Sequence, residues 1–194
     1  MPKRYLVPPK RQMSRMTCVP TAVWMLHRWY LDKVGQTFTT PMFNDIVDIS
    51  PEQWNHQVSS VGGVQLSAGL KVANLSQFAR EVGLESAIVD ITPQAFEAQL
   101  MKYGPFIYVD NVALGQLPAD LLLKSLTDGT KFHHVVLVTG IESKAGGYVL
   151  YFNDPSSGPS SHLQFNDFVL RRYPPMGGTD RSLILYFTRN TGSN

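Results

Sequence analysis

The apolar residues of this chain fall mainly at helical spacing before residue 104 and mainly in strand-like runs after it, and that change limits the fold more than any other feature. From Cys18 onward, Val19, Ala22, Val23, Leu26 and Tyr30 fall at helical intervals, while Trp24, Met25 and Trp29 add apolar surface on the other sides. A helix apolar nearly all round is a central, buried one, and Pro20 is tolerated because it lies in the first turn. Residues 67–82 repeat the spacing through Leu70, Val72, Ala73, Leu75, Phe78, Ala79 and Val82, with Gly83 placed to cap the end. A short strand is expected at 86–91, then a helix over 93–103 with Thr92 as its N-cap. Beyond residue 104 the apolar residues come as β-branched or aromatic runs at 105–109, 134–140, 147–153 and 182–188, bounded by Gly, Pro, Asn and Ser. Helices first and strands afterwards imply an α+β fold with an antiparallel sheet.

The rest of the chain is read as connections. Prolines at 2, 8 and 9 forbid a regular helix in residues 1–16, which read as an extended arm. Residues 35–65 are turn-rich, with Pro41, Pro51 and Gly62-Gly63, and allow one short helix over 43–49. Further short helices are expected over 117–126 and 165–170, and a turn over 176–179. At 194 residues and 43% hydrophobic content the chain suits one domain with a proper core. Its parts are the arm (1–16), a mainly helical lobe (17–104) and a mainly β lobe (105–194).

Composition excludes several functions. Basic residues number 17 against 15 acidic, and they cluster only at Lys3, Arg4, Lys10, Arg11 and Arg15. Without a basic stripe interleaved with aromatics, no nucleic-acid partner is expected. No secretory signal follows the charged start, and no apolar stretch approaches the roughly 18 residues of a membrane span. The expectation is therefore a soluble protein, not bound to a membrane, acting in a cytoplasm or exported by a leaderless route. The single cysteine cannot form an internal disulfide.

That cysteine carries the chemistry. Cys18 opens the buried helix, where unpaired N–H groups and the helix dipole favour a thiolate. A lone cysteine is ordinarily structural, but three further residues stand in a suitable order. Gln12, six positions earlier on the arm, can donate its side-chain amide to an oxyanion. His134 opens an apolar strand as a polar residue at its edge. Asp154, before Pro155, lies where a carboxylate could fix the tautomer of His134, although Asn-Asp-Pro is also a common turn. The Gly-Gly pairs lack the Lys-Ser/Thr or helix start of a phosphate loop, and no histidines show a metal-ligand spacing, so neither metal nor cofactor is expected.

Gln12, Cys18 with Met25 following, Leu100-Met101-Lys102-Tyr103-Gly104-Pro105, His134 through Gly140, and Asn153-Asp154-Pro155 occur in an order that resembles the papain-like cysteine peptidases. Within them the pattern is similar to the bacterial branch related to the peptidases that remove double-glycine leaders. The resemblance spans roughly residues 10–160. Val19-Pro20-Thr21 departs from the small or aromatic residues common after the cysteine, which bears on the width of the site. The histidine pair is also ambiguous. Adjacent residues on a strand face opposite sides, and the family spacing from the histidine to the strand's glycine, His134 to Gly140, selects His134 over His133.

The resemblance implies a papain-like fold with Cys18 as nucleophile, His134 as base, Asp154 orienting the base and Gln12 in the oxyanion hole. It implies hydrolysis of a peptide bond in a protein substrate, after a Gly-Gly pair, by a toxin or effector that needs a cognate immunity or inhibitor protein. Trp24 is a candidate substrate-binding residue and equally a core residue. A deamidase or acyl transferase would use the same constellation, and a binding domain of this fold would have lost its activity.

Overall fold

A computed structural model describes residues 3–12, 17–34, 60–61, 64–65, 72–111, 126–127, 133–175 and 180–188. The helices expected over 43–49 and over most of 117–126, and the turns at 62–63 and 176–179, lie outside the described residues.

The first helix, α1, runs Cys18–Val34. Thr17 is buried just before it, and its carbonyl accepts the Thr21 N–H at 3.0 Å, the first bond of the helix ladder. Helix α2, Val72–Glu81, ends as expected at Gly83, whose φ of 73° lets Leu84 N–H reach the Ala79 carbonyl at 2.7 Å and Gly83 N–H reach that of Arg80 at 3.1 Å. Helix α3, Pro93–Tyr103, has Thr92 as its N-cap, with Oγ1 accepting from Ala95 N–H at 3.1 Å.

Nine strands are numbered in chain order among the described residues: β1 Lys3–Arg4, β2 Ser60–Val61, β3 Val64–Gln65, β4 Glu85–Asp90, β5 Phe106–Asn111, β6 His133–Lys144, β7 Gly147–Asn153, β8 Ser160–Gln164 and β9 Arg181–Tyr186. β2 and β3 form a separate ribbon, and the other seven make one antiparallel sheet in the order β4-β9-β5-β6-β7-β8, with β1 against β6. The sheet takes in β4 from the helical part of the chain. It also takes in the arm, because Lys3 and Arg4 pair with Ile141 and Gly140, and Tyr5 N–H donates to the Thr139 carbonyl at 2.8 Å. Strand β8, Ser-Ser-His-Leu-Gln, follows no apolar run; it is an edge strand half open to water.

Alternation along the strands divides the core in two. Ile107, Val109, Val135, Leu137, Leu183 and Leu185 face α1 and α2. Phe106, Tyr108, Val136, Val138 and Ile184 face α3 and the helical turns after β8. Those turns are a short helix α4, Phe165–Asp167, continued as a π-helical turn over Phe168–Arg172. Phe96 of α3 is wholly buried edge-to-face against Phe106 and Phe165, each at 5.3 Å between ring centres. Burying such a ring contributes roughly 2–3 kcal/mol. The sheet is thus covered on both faces, and residues from both sides of the change in period supply the cover.

Gly104 shows why the Leu-x-x-x-Gly-Pro segment has its form. Its φ is 87°, and a Cβ there would meet Trp29 of α1 at 2.7 Å. Leu100 O accepts both Gly104 N–H at 3.0 Å and Tyr5 Oη at 2.8 Å. The segment therefore joins α3, α1 and the arm, and a side chain at 104 is excluded by both space and conformation.

Candidate active site

Strand β6 starts beside the end of β5, with Asp110 opposite His134 and Asn111 opposite His133. The two histidines diverge as the alternation requires. His133 Nδ1 lies 3.2 Å from the Asp110 carbonyl oxygen. His134 Nε2 lies 2.7 Å from Asp154 Oδ1. Cys18, at the head of α1, is near enough to the His134 imidazole to favour its charged form, and with Nε2 committed to Asp154, Nδ1 is the nitrogen left for the thiol. His134 shares its face with Val136 and Val138, while Val135 and Leu137 pack toward α1. The face covered by α1 would therefore have pointed to His133; the spacing to Gly140 pointed to the ring that meets the carboxylate.

Asp154 is held by a turn of its own making. Its Oδ1 accepts Ser156 N–H at 2.8 Å and Ser156 Oγ at 2.7 Å, an Asx turn across Pro155. Its carbonyl accepts Gly158 N–H at 2.9 Å. The common-turn reading of Asn-Asp-Pro and the carboxylate beside His134 are one arrangement. The second carboxylate oxygen, Oδ2, accepts Tyr173 Oη at 2.7 Å. Burial alone would raise the Asp154 pKa, but the bond and charge of His134, then the donors Ser156 and Tyr173, outweigh it and hold the carboxyl well below its usual range. For His134, burial likewise opposes the charged ring. The Asp154 bond, then Cys18, then the charge of Asp110 overcome it, and the imidazole stands well above its ordinary value.

The arm brings Gln12 to the same loop. Asn153 Nδ2 donates to the Val7 carbonyl at 3.0 Å, and Gln12 N–H donates to the Pro155 carbonyl at 2.7 Å. A Cβ on Gly158, whose φ is 88°, would stand 3.0 Å from Arg11 Cβ, so the arm crosses the loop in close contact. Trp24 is half-buried, packed against the core on α1's side of the sheet, with Lys10 Nζ 5.2 Å from its ring centre. Six residues of helix, about 9 Å of axis, separate it from Cys18.

Two residues of this region were not singled out from the sequence. Tyr173 follows the π-helical turn, and its ring stacks near that of His134, 6.5 Å between centres at 25°. Asp110 is 1% exposed; Oδ1 accepts His134 N–H at 3.2 Å, and Oδ2 has no hydrogen-bond partner among the described residues. Burial, aided by the Asp154 charge and opposed by His134 and Arg172, pushes the Asp110 carboxyl up to about 7. Because the folded value exceeds the unfolded one, folding favours the protonated form. The cost of ionising it is absent below about pH 4, grows as pH rises and is complete above pH 7, where it amounts to roughly 4 kcal/mol at most. Thermal melts between pH 5 and pH 7.5 should show wild-type stability falling relative to Asp110→Asn, whose neutral amide cannot ionise. A parallel dependence of the two proteins would contradict this account.

A buried helix opening on a cysteine, packed on an antiparallel sheet that presents a histidine bonded to an aspartate, defines the papain-like class of α+β folds. The model of the family "papain-like cysteine protease AvrRpt2" matches residues 3–172, and the chain belongs to that family. It is accordingly a cysteine protease. Among solved structures it is similar to a double glycine motif protease from an AMS/PCAT transporter, in complex with the leader peptide, at a TM-score of 0.53 and 19% identity, over 96% of this chain and 98% of that one. At that identity the likeness concerns the fold. No curated protein matches the chain at a significant level. No helix among the described residues is long and apolar enough to cross a membrane.

Proposed function

We propose that the chain cleaves a protein substrate through a Cys18-His134-Asp154 triad, with Gln12 completing the oxyanion hole. The observation that carries this reading is the His134 imidazole, bonded through Nε2 to Asp154 at 2.7 Å and held in its charged form by Asp154 and by Cys18 at a helix head. His134 Nδ1 takes the Cys18 proton, and the sulfur attacks the amide carbonyl. The oxyanion is held by the Cys18 N–H, free of helix bonding at this position, and by the Gln12 amide. As the C–N bond breaks, the imidazolium gives its proton to the leaving amine. A water then loses its proton to His134 and attacks the thioester, which releases the acid and restores the thiol.

Cleavage after a small residue, preferably the second of a Gly-Gly pair, is the substrate preference we assign. It is supported by the double-glycine protease of similar fold and by Val19 and Pro20, both buried beside Cys18, where they leave little room to yield; Trp24 would wall the cleft further along α1. An effector role, restrained in the producing cell by an inhibitor protein, extends the same reading. Expression of wild type and Cys18→Ala side by side, followed by mapping of new protein N-termini, tests it. New termini after Gly, confined to the wild type, support the proposal; cleavage equally frequent after large residues rules out a narrow slot. Gln12→Ala should lower kcat on a substrate so identified by about 10²–10³-fold. An unchanged kcat would mean that another donor forms the hole.

A further inference from the structure

Asp154 can orient His134 only if it is itself held. Ser156 fixes Oδ1 from within the same turn, so the rotation of the carboxylate depends on what meets Oδ2. That group comes from far along the fold. The π-helical turn closes with Tyr173 N–H on the Phe168 carbonyl at 2.7 Å, one residue wider than an α-turn, and returns Tyr173 to the loop. Tyr108 Oη, from the middle of β5, donates to the Tyr173 carbonyl at 3.0 Å. Phe168 and Phe152 pack on the Tyr173 ring at 4.7 and 5.3 Å between centres. Thus backbone and ring are both fixed, and among the described residues the hydroxyl has one buried acceptor in reach, Asp154 Oδ2 at 2.7 Å.

We infer that Tyr173 is a positioning residue of this site: its hydroxyl pins the far oxygen of Asp154 while its ring lies along His134, fixing the angle at which the imidazole meets Cys18. The inference rests on the triad reading above. The other titratable groups facing this cluster are Asp110 from β5, Cys18 from α1 and Arg172, whose guanidinium lies 5.6 Å from the Tyr173 ring centre. None of them replaces the Tyr173 hydroxyl as a donor to Oδ2 in the hydrogen bonds described.

The chain has one cysteine, so alkylation by iodoacetamide reads the site without any substrate. At pH 6 an ordinary thiol is almost unreactive, and rapid reaction requires a thiolate held by an imidazolium; at pH 9 any accessible thiol reacts. Tyr173→Phe keeps the ring and removes the donor. The expected result is a rate at pH 6 about tenfold below wild type, the order of a lost hydrogen bond to a charged group, with rates at pH 9 within about twofold. An unchanged rate at pH 6, or an equal fall at both pH values, overturns the inference. Should Tyr173→Phe fail to fold, Tyr108→Phe, which frees the Tyr173 carbonyl, should show the same pH-selective loss, and its absence there would count equally against the proposal. His134→Ala separates the two levels: if that variant also alkylates like wild type at pH 6, the pairing of Cys18 with His134 fails, whatever Tyr173 does.

Discussion

Cys18→Ala should leave a folded protein that makes no new N-termini in a proteome. The side chain stands at the first position of α1, half-buried and touching the edge of the core rather than its middle. Removing one sulfur there opens little space, so thermal melting should change by only a few degrees, whereas in the hydrophobic interior of α1 a truncation would cost several kcal/mol. The reaction, by contrast, has no second nucleophile. Water would have to replace a positioned thiolate, and turnover should fall below about 10⁻⁴ of wild type. Residual cleavage at a tenth of the wild-type rate, with contaminating proteases excluded by a purified mock preparation, would end the cysteine mechanism for this chain.

The second large effect separates neighbours. His134→Ala should lower cleavage of a mapped substrate by about 10⁴-fold, because in the proposed mechanism thiol activation and protonation of the leaving amine both pass through that ring. His133→Ala should retain activity within about tenfold. Its ring meets the Asp110 carbonyl on the other face of the sheet, so its loss affects the start of β6 without removing a reacting group. Measuring kcat and alkylation at pH 6 on both variants is decisive, since a one-residue shift in register would exchange the two outcomes. Equal loss in both variants would show that β6 needs His133 to form, and the melting curve of His133→Ala would then report it.

The structural role of the aspartate is less absolute than that of either partner. In the proposed triad Asp154 does not react; four donors, from His134, Ser156 twice and Tyr173, saturate its carboxylate and keep it charged while buried. That saturation explains how an ion at 2% exposure is tolerated so close to a second buried carboxyl, Asp110, which among the described residues has only the His134 N–H. Two neighbouring acids in unlike surroundings are driven apart in pKa, one held ionised and the other raised to about 7.

Local chemistry was enough to read α1, the capped ends of α2 and α3 and the strands of the central hairpin from the sequence, while the family resemblance grouped Gln12, Cys18, His134 and Asp154. A helical or strand period, a Thr N-cap, a Gly C-cap and an Asp-Pro turn each act over fewer than about ten residues, so the residues that cause them are neighbours in the chain. The family spacing to Gly140 singled out His134, which is the histidine that meets Asp154. What remained hidden depends on partners distant in sequence. Strand β1 is two residues of a proline-rich arm, and it becomes a strand only because β6 runs past the end of β5 and leaves Gly140 and Ile141 to pair. Strand β8 is polar and has no period to announce it; the edge of β7 supplies its ladder. Tyr173 and Asp110 carry no motif at all. Each acquires its place from burial beside groups 19 and 24 residues away, Asp154 and His134. A sequence states which residues can ionise or donate, but which of them lose water together is decided when the sheet and its two helical covers close around the site.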